Sequence, residues 1–276
     1  MVVYDPDRTD DTIVLHEALD NSLKRARDGA VLDDEDTVIF IDGQEGSGKS
    51  QTARQLGYLL AQWSGTEFSL DNVHNSLQSY IDFVLNNKGE PGTVSILDEG
   101  KKILNKYRMM ASDNVEFTEF LSENRDYNMH HIICAPSFHD VGEYVAKWRM
   151  RFLIHHYKKY VDTDDERYMS GRKLKRGNYY LYDSNQDLWY HYDQDGYSYP
   201  DKWVCHHTIK DVDPLTDDEY QRYRKRKQKS IEEKYGGKQR LDKTTKVVGA
   251  CLKYVKDKEL MSKACRHSED WLDVPK

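Results

Sequence analysis

Apolar residues fall into two kinds of pattern along this chain, and their alternation predicts the fold. Residues 12–28 place Ile13, Leu15, Leu19 and Leu23 on one side of an amphipathic helix. Thr37–Ile41 (TVIFI) is instead an unbroken β-branched and aromatic run between an acidic turn and a glycine, which predicts a strand buried on both faces. Helical spacing resumes over Ser50–Trp63 and over 73–86, the latter closed by Gly89-Glu90-Pro91-Gly92. Then come a strand at Thr93–Leu97, a helix at Phe117–Asn124, a strand at His131–Ala135, a helix at Val141–Trp148 and a strand at Phe152–His156. Strands alternating with helices predict an α/β fold: a three-layer parallel sheet with right-handed crossovers and helices on both faces.

The pattern changes after about residue 165. Asn178–Tyr182 (NYYLY) and Leu188–Tyr192 (LWYHY) flank the polar turn DSNQD, so a β-hairpin is expected. Thr216 and Glu219 have capping-box spacing and open a charged helix that Gly236-Gly237 ends; a last helix is expected over Lys246–Ala264. Four regions follow: a helical lead-in at 1–34, an α/β core at 35–165, a tyrosine-rich hairpin region at 166–212 and a basic helical region at 213–276.

Composition adds a charge asymmetry. The chain has 276 residues and a net charge of −7, yet Thr216–Lys276 carries 17 Lys and Arg against 11 Asp and Glu. The 215 residues before it carry 24 against 37. An acidic body with a basic tail fits either a polyanionic partner or a solvated helix face. Cys134, Cys205, Cys251 and Cys265 lie far apart with no CxxC pair, as free thiols in a reducing compartment do. No stretch approaches the roughly 18–20 apolar residues of a membrane span. The expectation is a protein of the cytoplasm or of a host cell's cytoplasm, not secreted and without membrane insertion. The pairs His130-His131 and His155-His156 lie on predicted strands, where neighbours face opposite ways, so neither pair chelates a metal side by side.

The chemistry concentrates after the first core strand. The run GQEGSGKS (Gly43, Gln44, Glu45, Gly46, Ser47, Gly48, Lys49, Ser50, with Gln51 next) has a strand before it and a helix after it. Glycines there let backbone N–H groups turn towards phosphates, and the helix N-terminus adds partial positive charge. Lys49 is expected to reach the β- and γ-phosphates of ATP, and Ser50 to bind Mg²⁺. The next strand runs into Asp98-Glu99. Asp98 suits the metal, directly or through water, and Glu99 suits activation of a water for attack on the γ-phosphate. An adjacent glutamate of this kind favours hydrolysis over transfer to a small molecule, a reaction that must exclude water. The guanine-reading NKxD pattern is missing: its nearest string, Asn105-Lys106-Tyr107-Arg108, lacks the aspartate. Arg125 and Arg108 are two candidates for meeting transition-state charge, and Ser137 is a candidate γ-phosphate sensor or helix cap.

In this order, Gly43–Ser50, Val94–Glu99, the basic segment Lys101–Arg108, then Arg125 with Asn128 before another strand, the chain resembles the additional-strand, catalytic-glutamate division of P-loop nucleoside triphosphatases. The strings SILDEGKKILNKYRMM and LSENRDYNMHHIICAPSF are similar to the FtsK/HerA-like and Zot-like ATPases. The resemblance covers about residues 35–160. It implies a RecA-like core, ATP hydrolysis with Mg²⁺, assembly into a ring, and DNA as the cargo that is pumped or packaged. Lys101, Lys102 and Lys106 would then touch the nucleic acid, followed by Lys147, Arg149 and Arg151, with the run RYRKRKQK in the basic tail as a further cluster. One departure is plain: where many FtsK/HerA-like members carry a glutamine after the fourth strand, this chain has Ala135-Pro136-Ser137. A nucleotide-gated assembly switch and a small-molecule kinase are the other functions the motifs permit.

Overall fold

A computed structural model describes residues 2–4, 13–98, 112–138, 143–182, 203–206 and 214–236. The chain divides into two compact units, Met1–Arg224 and Lys225–Lys276. In the first, a short ribbon pairs β1 (Val2–Tyr4) with β2 (Ile13–Leu15), and α1 (Glu17–Leu32) follows. The expected start of this helix is therefore a strand. His16 makes the change by capping α1, accepting from the Ala18 N–H. β3 (Thr37–Gly43) leads through the glycine-rich loop into α2 (Lys49–Ser64).

A second departure from the sequence reading comes at Val73. The predicted helix over 73–86 is split into β4 (Val73–His74), an edge strand on β5 (Val94–Leu97), and α3 (Leu77–Asn86), which Ser76 caps. After α4 (Ser112–Glu123) come β6 (His130–Cys134), a π-helical turn at Val145–Arg149 and β7 (Met150–His156). An exposed antiparallel ribbon, β8 (Lys159–Asp162) with β9 (Arg172–Lys175), leads to β10 (Asn178–Tyr182), β11 (Trp203–His206) and the helix α5 (Asp217–Gly236).

Seven of these strands form one sheet in the order β11-β10-β7-β3-β6-β5-β4. The five from β7 to β4 run parallel, and β10 and β11 extend the β7 edge with antiparallel pairings. The tyrosine-rich strand Asn178–Tyr182 thus joins the main sheet. Its outer partner is Trp203–His206; the run expected to pair with it, Leu188–Tyr192, lies outside the described residues, as does the helix expected at Lys246–Ala264.

Both faces of the sheet are covered, and β3 shows why its sequence is apolar throughout. Ile39 and Ile41 pack with Leu19 and Leu23 of α1 and with Ala53, Leu56 and Leu60 of α2. Val38 and Phe40 face the other way, onto Tyr80 and Val84 of α3 and Phe117 and Leu121 of α4. Each large aliphatic or aromatic side chain so buried contributes about 1.5–3 kcal/mol. This places the end of β3, and the loop after it, in the middle of a rigid sheet. The architecture is the expected three-layer α/β core.

Candidate nucleotide-binding site

At the C-terminal end of β3 the chain turns at Gly43, where φ is +122° and a Cβ would sit 1.9 Å from the His156 carbonyl oxygen of β7. Only glycine fits there, for both conformation and space. A Gly43→Ala variant is expected to lose at least about 3 kcal/mol of stability; urea denaturation measures it. Gly46 and Gly48 also take positive φ, and Gly48 stands at the start of α2. The helix starts at α1 and α3 are each capped by a side chain, whereas α2 has no side-chain cap and no acid in its first turn. Gln51 and Thr52 donate to the Gly48 carbonyl, and the helix dipole with the N–H groups of Lys49 and Ser50 suits an anion at this end.

Lys49 lies across this loop, with Nζ donating to the carbonyls of Gly43 (2.6 Å) and Gln44 (3.0 Å). Burial pushes its ammonium below the usual lysine range, while the nearby Cys134, Asp42, Glu45 and Asp98 pull it back up. One residue on, the Ser50 hydroxyl donates to Asp98 Oδ1 at 2.8 Å. Asp98 is 3 % exposed at the end of β5, and its backbone N–H is held by the His74 carbonyl of β4. A hydroxyl and a carboxylate beside the loop lysine are the oxygen donors a hard dication takes, so this pair fits Mg²⁺. Among the described residues no other cluster of His, Cys, Asp or Glu has metal-site geometry.

Asp42, the last side chain before the turn, is buried and locks the loop to its neighbours. Oδ1 meets His155 Nδ1 of β7 at 2.7 Å, and Oδ2 accepts from the Phe138 N–H at 2.7 Å, next to Ser137 in the segment after β6. Sequence reading missed this link, and also missed Lys158. That lysine follows β7 half-buried, and its Nζ comes within 3.9 Å of where a Gly46 Cβ would stand, a second cation at the loop.

The remaining predicted residues are dispersed. Arg125 lies in a 3-10 turn before β6, close enough to Asp36 for its charge to act on that carboxylate. Asp36 precedes β3, whose seven residues put the loop about 20 Å away. Arg125 is therefore at the wrong end of the sheet for this chain's own phosphates. Arg149 does not stand free on the surface as expected for a nucleic-acid contact: with its side chain 9 % exposed, it is ion-paired with Asp36, itself 5 % exposed. Desolvation outweighs this pairing and pushes the Asp36 carboxyl above its usual range. Arg151 is half exposed and paired with Glu35, and Lys147 is paired with Glu143. Glu99, Lys101, Lys102, Lys106 and Arg108 lie outside the described residues.

The loop strand β3 and the aspartate strand β5 are not neighbours; β6 lies between them. That is the additional strand. The core is a RecA-like P-loop fold.

No family model matches the chain, and no curated protein matches it. Solved structures similar to it include the genome packaging NTPase B204 from Sulfolobus turreted icosahedral virus 2. In complex with sulfate, that protein is 18 % identical with a TM-score of 0.39, over 64 % of this chain and 98 % of that one. Its complex with ATP-gammaS gives 17 % and 0.40, over 63 % and 98 %. EssC (ATPases 2 and 3) from Geobacillus thermodenitrificans is 13 % identical with a TM-score of 0.35, over 75 % of this chain and 45 % of that one. These likenesses are distant, and a functional reading has to stand on Lys49, Ser50 and Asp98 themselves.

Proposed function

We propose that the protein hydrolyses ATP to move nucleic acid, with DNA as the cargo and a ring of identical subunits as the working form. The observation that carries the nucleotide reading is the meeting of Ser50 and Asp98 beside Lys49 and the uncapped start of α2. In this reading the loop N–H groups and Lys49 hold the β- and γ-phosphates, and Lys158 adds a second positive charge from the segment after β7. Mg²⁺ held by Ser50 and Asp98 would neutralise charge on the phosphate oxygens. Glu99, one residue past Asp98, accepts the proton of the attacking water. Arg125, too far from its own loop, serves the nucleotide of a neighbouring subunit.

The cargo assignment rests on the resemblance to DNA-pumping ATPases and on lysine-rich segments. Lys101, Lys102 and Lys106 lie within seven residues after Glu99, so a phosphate backbone held there would be coupled to the hydrolytic residues. Arg222, Arg224 and Lys225 are exposed on α5 and add to the basic tail. Phosphate release from ATP, measured with duplex DNA, single strands or RNA at two salt concentrations, tests the motor. Duplex DNA is expected to raise the rate several-fold, less so at the higher salt, with Glu99→Gln inactive throughout. Rates indifferent to every nucleic acid would overturn the motor and favour a nucleotide-gated assembly switch.

A further inference from the structure

Asp98 is held from two sides, and only one of them belongs to the motifs above. Ser50 donates to Oδ1; the hydroxyl of Tyr223 donates to Oδ2 at 2.5 Å, from a helix 125 residues further along the chain. Three contacts fix that helix in place. Thr216 and Glu219 form a capping box at its start, with Glu219 accepting from the Thr216 N–H at 3.0 Å and Thr216 accepting from the Glu219 N–H at 3.3 Å. The other oxygen of Glu219 accepts from the Leu70 N–H at 3.2 Å, in the short turn ahead of β4. One turn on, the guanidinium of Arg54 lies over the ring of Tyr223 at 4.7 Å and over that of Tyr220 at 5.8 Å. Arg54 is buried, and it stands one turn after Ser50 on the same face of α2.

The result is a chain of contacts from Ser50 through Asp98 and Tyr223 to Arg54, closing back on α2. Tyr223 is 6 % exposed, so its hydroxyl acts in a dry setting where a charge-assisted hydrogen bond to a carboxylate is strong. A carboxylate that must present one oxygen to a dication gains from having the other fixed. The outer-sphere partners of metal ligands commonly have this effect.

We propose that Tyr223 is a positioning residue of the nucleotide site: it fixes Asp98 through Oδ2 so that Oδ1 and Ser50 face the Mg²⁺ that accompanies the triphosphate. This rests on the nucleotide reading above and makes Tyr223 of α5 part of that site. Tyr223→Phe keeps the ring and its stacking on Arg54 and removes only the hydroxyl. Tyr220→Phe is the control, since its ring also meets Arg54.

The test is equilibrium binding of a fluorescent ATP analogue, in EDTA and across a Mg²⁺ titration, with urea denaturation of each variant alongside. Tyr223→Phe is expected to bind the analogue in EDTA as the wild type does, yet to need about tenfold more Mg²⁺ for half of the metal-dependent gain. Tyr220→Phe is expected to follow the wild type. A wild-type Mg²⁺ requirement in Tyr223→Phe would overturn the proposal, and so would equal weakening with and without metal, which marks a purely structural role. A wild-type protein that binds no analogue at all would remove the nucleotide reading itself, and this proposal with it.

Discussion

Lys49→Ala is expected to weaken ATP binding by roughly a hundredfold, the loss of about 3 kcal/mol of charge-assisted hydrogen bonding to phosphate. The size follows from where the lysine sits. Its ammonium is already drawn over the loop by the Gly43 and Gln44 carbonyls, and burial lowers its pKa, so it is poorly solvated before any phosphate arrives. A partly desolvated cation gains more from an anion than one in water does. The fold should tolerate the change, because Lys49 packs against no core side chain named above and α2 starts at Gly48 without using it as a cap. Isothermal titration with ATP, and urea denaturation of the same samples, separate the two effects.

The second large effect is on stability and concerns acid. His130 and His131 are buried next to one another at the start of β6, and burial pushes both from the usual 6.5 down to about 3. His131 Nδ1 meets the Tyr80 hydroxyl at 2.6 Å, and His130 Nε2 meets the Ser64 hydroxyl at 3.4 Å. In the unfolded chain both rings take up protons as pH falls through about 6.5. In the folded chain they stay neutral until about pH 3. The stability they contribute is thus complete above pH 6.5 and is lost on acidification, at up to about 1.4 kcal/mol per pH unit for each ring. Between pH 7.5 and 5.5 the pair should account for a loss of roughly 2.5 kcal/mol, a large share of a typical domain's stability. Urea denaturation at the two pH values measures it. The double variant His130→Gln/His131→Gln should show a much smaller difference between them; an unchanged difference would assign the acid sensitivity to other groups.

Much of the core was legible because it obeys strong local rules. Thr37–Ile41 could only be a strand covered on both faces, the loop that follows has one common use, and Thr216 with Glu219 forms the capping box its spacing implied. What escaped notice depends on contacts between distant segments. Val73 and His74 look like the start of a helix; they form a two-residue edge strand because β5 offers them backbone partners. Asn178–Tyr182 pairs outward with Trp203–His206, and no local signal marks that choice of partner. Arg149 reads as a surface cation by its neighbours in sequence, but Asp36, 113 residues earlier, draws it in. Tyr223 is the clearest case: within RYRKRK it looks like an aromatic on a solvated helix, and only the fold brings its hydroxyl to Asp98.

Lys49, Ser50 and Asp98 are proposed to form a site that hydrolyses ATP. Release of inorganic phosphate from ATP, followed with purified wild-type chain, Lys49→Ala and Asp98→Asn in Mg²⁺, is the decisive measurement. Turnover is expected of the wild type, and none above background in either variant. Equal phosphate release by all three would contradict the proposal.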